Sequence, residues 1–192
     1  MSTDHFSSRD ARFVWALSAL QLISWGSVFY GFALFMAPLE HELGLQRAES
    51  SLGFSLMLLA EGLLAFPVGR WIDRGHERLV MTGGSLLVGL AFLAHSQIST
   101  IAGFYIVWTV MGVGLAGTLY PPAFAVLTRR FPQHFRRAII ILTFLGGLAS
   151  TVFMPLVAWL IDAHGWRTAM LTLGGLQVLV CVPVHGWLLR HA

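Results

Sequence analysis

Leu79 to Gln97 is a run of nineteen residues without a single Asp, Glu, Lys or Arg, and it is one of six such long apolar stretches. The others are Phe13–Pro38, Ser51–Ile72, Ile101–Leu127, Ala138–Ile161 and Thr168–Leu189. Each is near the roughly 20 residues that an α-helix needs to cross the hydrocarbon core of a bilayer. No water reaches a backbone there, so a spanning segment must close its own hydrogen bonds as a helix or join a closed barrel. These runs are continuous and do not alternate apolar with polar, which excludes barrel strands. The fold class expected is therefore an all-α membrane protein of six transmembrane helices. Only 11% of the chain is charged and its mean hydropathy is +0.73, whereas a soluble domain carries about 25% charged residues. The joints are short, so neighbouring helices run antiparallel and no soluble domain fits between them.

The charges that remain are sorted by side. The chain has twelve arginines and no lysine, giving a net charge of +3. Ten arginines fall in the N-terminal tail, the second and fourth joints and the C-terminal tail; only Arg47 and Arg167 fall on the other side. Positive residues mark the cytoplasmic face. Residues 1–12 and 190–192 are thus expected to be cytoplasmic tails of a 13–189 bundle in a plasma (bacterial inner) membrane, with Glu40, Glu42 and Glu49 outside. The first apolar run is too long for a signal-peptide core and lacks a clear small-x-small cleavage site, so it reads as a retained span. The arginines are scattered between apolar runs, which argues against nucleic acid as a partner. Cys181 stands alone in an apolar run and reads as packing.

Between the second and third runs lies a charged island, Gly69-Arg70-Trp71-Ile72-Asp73-Arg74-Gly75-His76-Glu77-Arg78. Its pattern of Gly69-x-x-x-Asp73-Arg74 followed by Arg78 resembles the signature loop between helices two and three of the major facilitator superfamily. The family usually has Gly three places after the Asp; here that place is His76, with Gly75 just before it. Gly112-x-Gly114-x-x-Gly117 resembles the glycine-rich motif of helix four, although Trp108 stands where Arg usually precedes it. Thr128-Arg129-Arg130-Phe131-Pro132, Phe135-Arg136-Arg137-Ala138 and Gly146-Gly147 resemble the entry to helix five of monocarboxylate-transporter-like members. The helix-five antiporter motif is absent. The two halves of the chain also echo each other: Pro67-x-x-x-Trp71-Ile72-Asp73 with Arg78 matches Pro155-x-x-x-Trp159-x-Ile161-Asp162 with Arg167, at an offset of about 90 residues. That offset is three spans, so the second copy is inverted in the membrane, the 3+3 inverted repeat of each superfamily half. The resemblance covers about Arg12 to Arg190 and implies the N-terminal six helices of a twelve-helix transporter.

Glu61 is the one acid deep inside a span, and an intramembrane acid costs roughly 2.5–3.5 kcal/mol or more when charged and exposed to lipid. Two readings stand: a carboxylate that couples protons or meets substrate in a wet cavity, or a protonated acid bonded to a neighbouring helix. Gln21, Ser24 and Trp25 share a face of the first span by their i, i+3, i+4 spacing, with Tyr30 beyond. The resemblance places helices one and four along the translocation cavity, which adds Thr109, Thr118 and Tyr120 as substrate-pathway candidates. Taken singly, each is expected to make an interhelical hydrogen bond worth about 0.6 kcal/mol. Gly69, Asp73, Arg74 and Arg78 are the signature-loop, gating candidates. Asp73 is expected to lack a partner within this half. Gly112, Gly114, Gly117, Gly146, Gly147, Gly174 and Gly175 are expected to let helices approach closely, and Pro121-Pro122, Pro155 and Pro183 to kink theirs. His76, His134 and His164 have no ligand spacing, so neither metal nor cofactor is expected. With no Gly-x-Ser-Gly and no His-Glu-x-x-His, an intramembrane enzyme is not expected.

The function expected is transport of a small solute, an organic acid if the monocarboxylate-like echoes hold. It would work by alternating access with a second six-helix half, either a separate C-terminal half or a second copy in a homodimer. The alternative is a non-transporting membrane protein or a truncated transporter. The expected partners are the lipid bilayer, the small-molecule substrate and that second half.

Overall fold

The computed structural model describes residues 7–191. Six helices in it are long and apolar enough to cross a membrane: α1 (Ser8–Leu43), α2 (Arg47–Asp73), α3 (Glu77–His95), α4 (Ile101–Arg130), α5 (Phe135–His164) and α6 (Trp166–Leu188). Among the described residues there is no strand. Of the tail expected over residues 1–12, the part from Ser7 onward is already a capped helix: the Ser7 hydroxyl accepts from the Asp10 N–H, and Asp10 accepts from the Ser7 N–H. Such a reciprocal box satisfies two of the donors a helix start leaves open. Residues 1–6, and Ala192 of the expected C-terminal tail, lie outside the described residues.

The tight joints rest on glycines in the left-handed region. Gly75 (φ +86°) closes the α2–α3 turn and Gly165 (φ +81°) the α5–α6 turn, at matching places of the two halves. A side chain is strained at such a φ. The glycine that the family pattern puts at residue 76 is thus supplied one place earlier.

α4 lies between α2 and α3, α3 packs on α6, and α1 packs on α5. Helices come close where glycine removes the side chain. A Cβ on Gly112 would sit 2.1 Å from the Met57 carbonyl oxygen, so α2 and α4 touch backbone to backbone; Gly84–Gly114 and Gly89–Gly174 do the same for α3 with α4 and α6. Two expected contact glycines play no such part: Gly147 and Gly175 face open space. Successive residues point about 100° apart on a helix, so only one glycine of each pair, Gly146 or Gly174, can face the neighbour. Trp108, where the resemblance expects Arg, is fully buried and meets Phe32 edge-on at 4.7 Å. A core side chain has replaced a charge there.

Four spans depart from α geometry near their middles. α1 is π-helical over Trp25–Tyr30, α4 stops at Ala116 and restarts at Tyr120, and α6 is π-helical over Gln177–Cys181, just before Pro183. α5 is interrupted at Leu148, and Pro155 lies inside the helix that follows. The buried core divides at this level. One apolar cluster holds Val28, Phe32, Trp108 and Leu115, and a second holds Val14, Leu17, Ala123 and Leu127. Between them along α1 and α4 come the buried polar residues Gln21, Ser24, Ser27 and Thr118.

Candidate functional site

The break in α4 has a chemical cause. Pro121 and Pro122 have no N–H, so the carbonyls of Gly117 and Thr118 lose the donors a continuous helix would give them. A carbonyl left bare in hydrocarbon costs several kcal/mol. Gln21 of α1 supplies the missing donor: its Nε2 donates to the Thr118 carbonyl at 2.5 Å. The Thr118 hydroxyl turns back to its own helix, toward the Gly114 carbonyl at 3.4 Å. Gln177, in the π-turn of α6, donates to the Ser27 hydroxyl at 3.1 Å. Amide side chains thus knit the irregular middles of α1, α4 and α6 together.

One turn beyond Gln21, Trp25 lies against Tyr120 (centroids 4.9 Å) and Phe29 (4.5 Å), and Tyr120 stacks on Phe124 at 5.2 Å and 6°. The Tyr120 hydroxyl points at Gly146 of α5, where a Cβ would come within 2.2 Å. The Ser24 hydroxyl and the Trp25 indole N–H are buried and have no hydrogen-bond partner. Tyr30 closes the π-turn, half-buried. These residues gather into one patch. Thr109 does not join it: it sits more than two turns away and bonds its own helix, at the Tyr105 carbonyl, 2.8 Å. Glu61 stands near the middle of α2 on the same stripe as Phe54 and Met57. Phe54 meets Phe29 and Phe32 of α1 at 5.6 and 4.6 Å, and Met57 backs onto Gly112 of α4. Glu61 is half-buried and makes no hydrogen bond or ion pair among the described residues.

At each membrane face an arginine ties a carboxylate to the open carbonyls of a helix end. On the side of the signature loop, Arg129 donates to the Ile72 carbonyl and to Glu77 at 3.2 Å. Glu77 is buried, in the first turn of α3. On the other side Arg167 donates to Glu42 and to the carbonyls of Ser96 and Ile98, while the Trp166 indole donates to Glu42 at 2.8 Å. The charges are exchanged between the faces: α4 brings Arg and α3 brings Glu on one, α1 brings Glu and α6 brings Arg on the other. The four positions are those an inverted repeat pairing α1 with α4 and α3 with α6 brings into correspondence, with the charge reversed at each. The sequence reading missed both clasps. The signal was present: Glu42 and Arg129, and Glu77 and Arg167, are each about 90 residues apart with opposite sign. The signature residues themselves stay outward. Asp73, Arg74 and Arg78 are exposed, and none forms an ion pair among the described residues. Gly69 has open space around it.

The family model of the Major Facilitator Superfamily matches residues 14–192. The chain belongs to the major facilitator superfamily. Its similar proteins include an uncharacterized MFS-type transporter, YcxA, of Bacillus subtilis, 25% identical over 96% of this chain and 46% of that protein. A gallate transporter of Pseudomonas putida is 30% identical over 82% of this chain and 35% of its own length. Monocarboxylate transporter 13 of Rattus norvegicus is 28% identical over 77% of this chain and 33% of its own. The chain spans less than half the length of these relatives. As a member of this family it is an integral membrane protein of a solute-transport superfamily.

Proposed function

We propose that the chain forms one half of a secondary transporter that moves a small carboxylate by alternating access, opposite a second six-helix half. The observation that supports this most is the coincidence of two helix breaks. α1 and α4 lose α geometry near their middles, at the place where they touch. Broken helices at the bilayer midplane are where secondary transporters bind their cargo. The patch there has an aromatic wall, Trp25 with Tyr120, and behind it two buried polar groups with free hydrogen-bonding capacity, the Ser24 hydroxyl and the Trp25 N–H. These suit an aromatic or short-chain acid, in keeping with the names of the gallate and monocarboxylate relatives. No Lys or Arg lies inside the spans at that depth, so the cation that meets the carboxylate belongs to the second half. Glu61 is the proton-coupling group. The arginine distribution favours both ends in the cytoplasm of a plasma membrane, and in this reading Asp73 braces the second half.

The test is uptake of labelled small carboxylates by the assembled transporter. Ser24→Leu and Trp25→Leu are expected to reduce uptake at least tenfold while the protein stays in the membrane at normal levels. Unchanged uptake in both variants removes the patch from the pathway. No uptake of any solute by the assembled wild type favours a non-transporting membrane protein.

A further inference from the structure

We propose that the cleft between α2 and α3 is a binding site for an anionic phospholipid, with one acyl chain in the cleft and the phosphate held by Arg74 and Arg78. The cleft has a volume of about 390 Å³. Leu64, Val68 and Trp71 of α2 form one wall, Leu79 and Gly83 of α3 the other, and Val113 of α4 the floor. Nothing polar lines it, so water would find none of the two to four partners a buried water needs. Within a membrane the occupant that matches such a slot is hydrocarbon.

What marks a phospholipid rather than bulk chain is the end of the slot. Trp71 and Leu79 continue from it into a recess of about 260 Å³ that adds Arg74 and His76. A neighbouring recess of about 410 Å³ adds Arg78 and Thr82. An apolar slot thus opens onto two arginines, a histidine and a hydroxyl at the membrane interface. Trp71 is 55% exposed at the junction, the place where an amphipathic ring sits at headgroup level. The acids nearby do not cancel this charge. Glu77 turns inward to Arg129, which leaves Asp73 as the single exposed acid of the turn, beside Arg70, Arg74 and Arg78. Arg70 lies over Phe66, 5.7 Å from its ring. The inference needs only that the chain crosses a membrane.

Native mass spectrometry of the full chain in mild detergent, with phosphatidylglycerol or phosphatidylcholine of identical acyl chains, tests it. Wild type is expected to retain phosphatidylglycerol preferentially. A juxtamembrane arginine contributes about fivefold to binding an anionic surface, so R74Q/R78Q is expected to lower that retention roughly 25-fold and leave phosphatidylcholine unchanged. Gly83→Leu, at a glycine where an added Cβ meets nothing within 4 Å, places a side chain in the slot and is expected to lower retention of both lipids. Arg136→Gln, on the same face and away from the slot, is expected to change nothing. Equal retention of the two lipids by wild type, or wild-type retention by R74Q/R78Q, overturns the proposal. So does displacement of the lipid by free glycerol phosphate at equal concentration, because the acyl chain then contributes nothing. Should R74Q/R78Q fail to fold, the wild-type lipid preference and Gly83→Leu still decide.

Discussion

Gln21 has a partner that its sequence neighbours do not reveal. By spacing it belongs to a polar face of α1, where an interhelical hydrogen bond is the expectation for any single residue. Its amide is in fact the replacement for the absent Pro122 N–H, on a helix 97 residues away. Gln21→Leu is therefore expected to destabilise the bundle by about 1–3 kcal/mol, the cost of leaving a buried carbonyl unpaired. Thermal unfolding in detergent measures it; a variant as stable as wild type means that Thr118 finds its donor elsewhere. Glu61 is the opposite case. Its depth and lack of a basic neighbour were legible from the sequence, because a lone acid stands out in an apolar run. Which helix faces it was not, since that needs the stripe it shares with Phe54 and Met57. Glu61→Gln keeps the shape and removes the titrating oxygen. In the assembled transporter it is expected to abolish the pH dependence of uptake, read from initial rates on both sides of neutral pH. Uptake with the wild-type pH profile would make Glu61 a structural residue.

At the scale of elements, the two clasps differ in kind although the repeat relates them. Glu77 begins α3 and Arg129 ends α4, so each charge suits its helix dipole. Glu42 ends α1 and Arg167 begins α6, where each charge opposes its own helix. That clasp relies instead on the Ser96 and Ile98 carbonyls at the end of α3 and on the Trp166 N–H. A double-mutant cycle of Glu77→Gln and Arg129→Gln is expected to give a coupling of about 1–3 kcal/mol, since Glu77 is buried. The same cycle on the more exposed Glu42 and Arg167 is expected to give less. Equal couplings would show that the dipoles and the burial of Glu77 are irrelevant. The helices themselves were legible because a membrane leaves a span no alternative to satisfying its own backbone. Their breaks were legible only in part. Pro121-Pro122 announces the gap in α4, but the π-turn at Trp25–Tyr30 contains no proline. It becomes intelligible only from its neighbours, with Gly26 pressed against Phe153 of α5.

For the whole molecule, exposed apolar surface is unevenly shared among the helices. Of the apolar window of α2 only 11% is buried, and of α5 22%, against 56% for α4. Leu63, Phe66, Ile140 and Phe144 stand out from the bundle. Lipid tolerates such surface, so exposure alone demands no partner. A polar group is a different matter. Glu61 lies half-buried on α2 with no hydrogen bond or ion pair among the described residues, and hydrocarbon against such a group is costly. A second bundle facing α1, α2 and α4 would convert that cost into a cavity wall, and alternating access needs two bundles that rock about a midplane site. The two halves of superfamily transporters are parallel, related by an axis along the membrane normal, so either a separate second half or another copy of this chain satisfies the geometry. The expectation is that the chain as a monomer in proteoliposomes takes up no solute, and that uptake appears only when crosslinking in lipid finds it paired, with a second half or with itself. Robust uptake by a monomer verified by crosslinking would overturn the half-transporter reading. It would require this one bundle to close its own cavity.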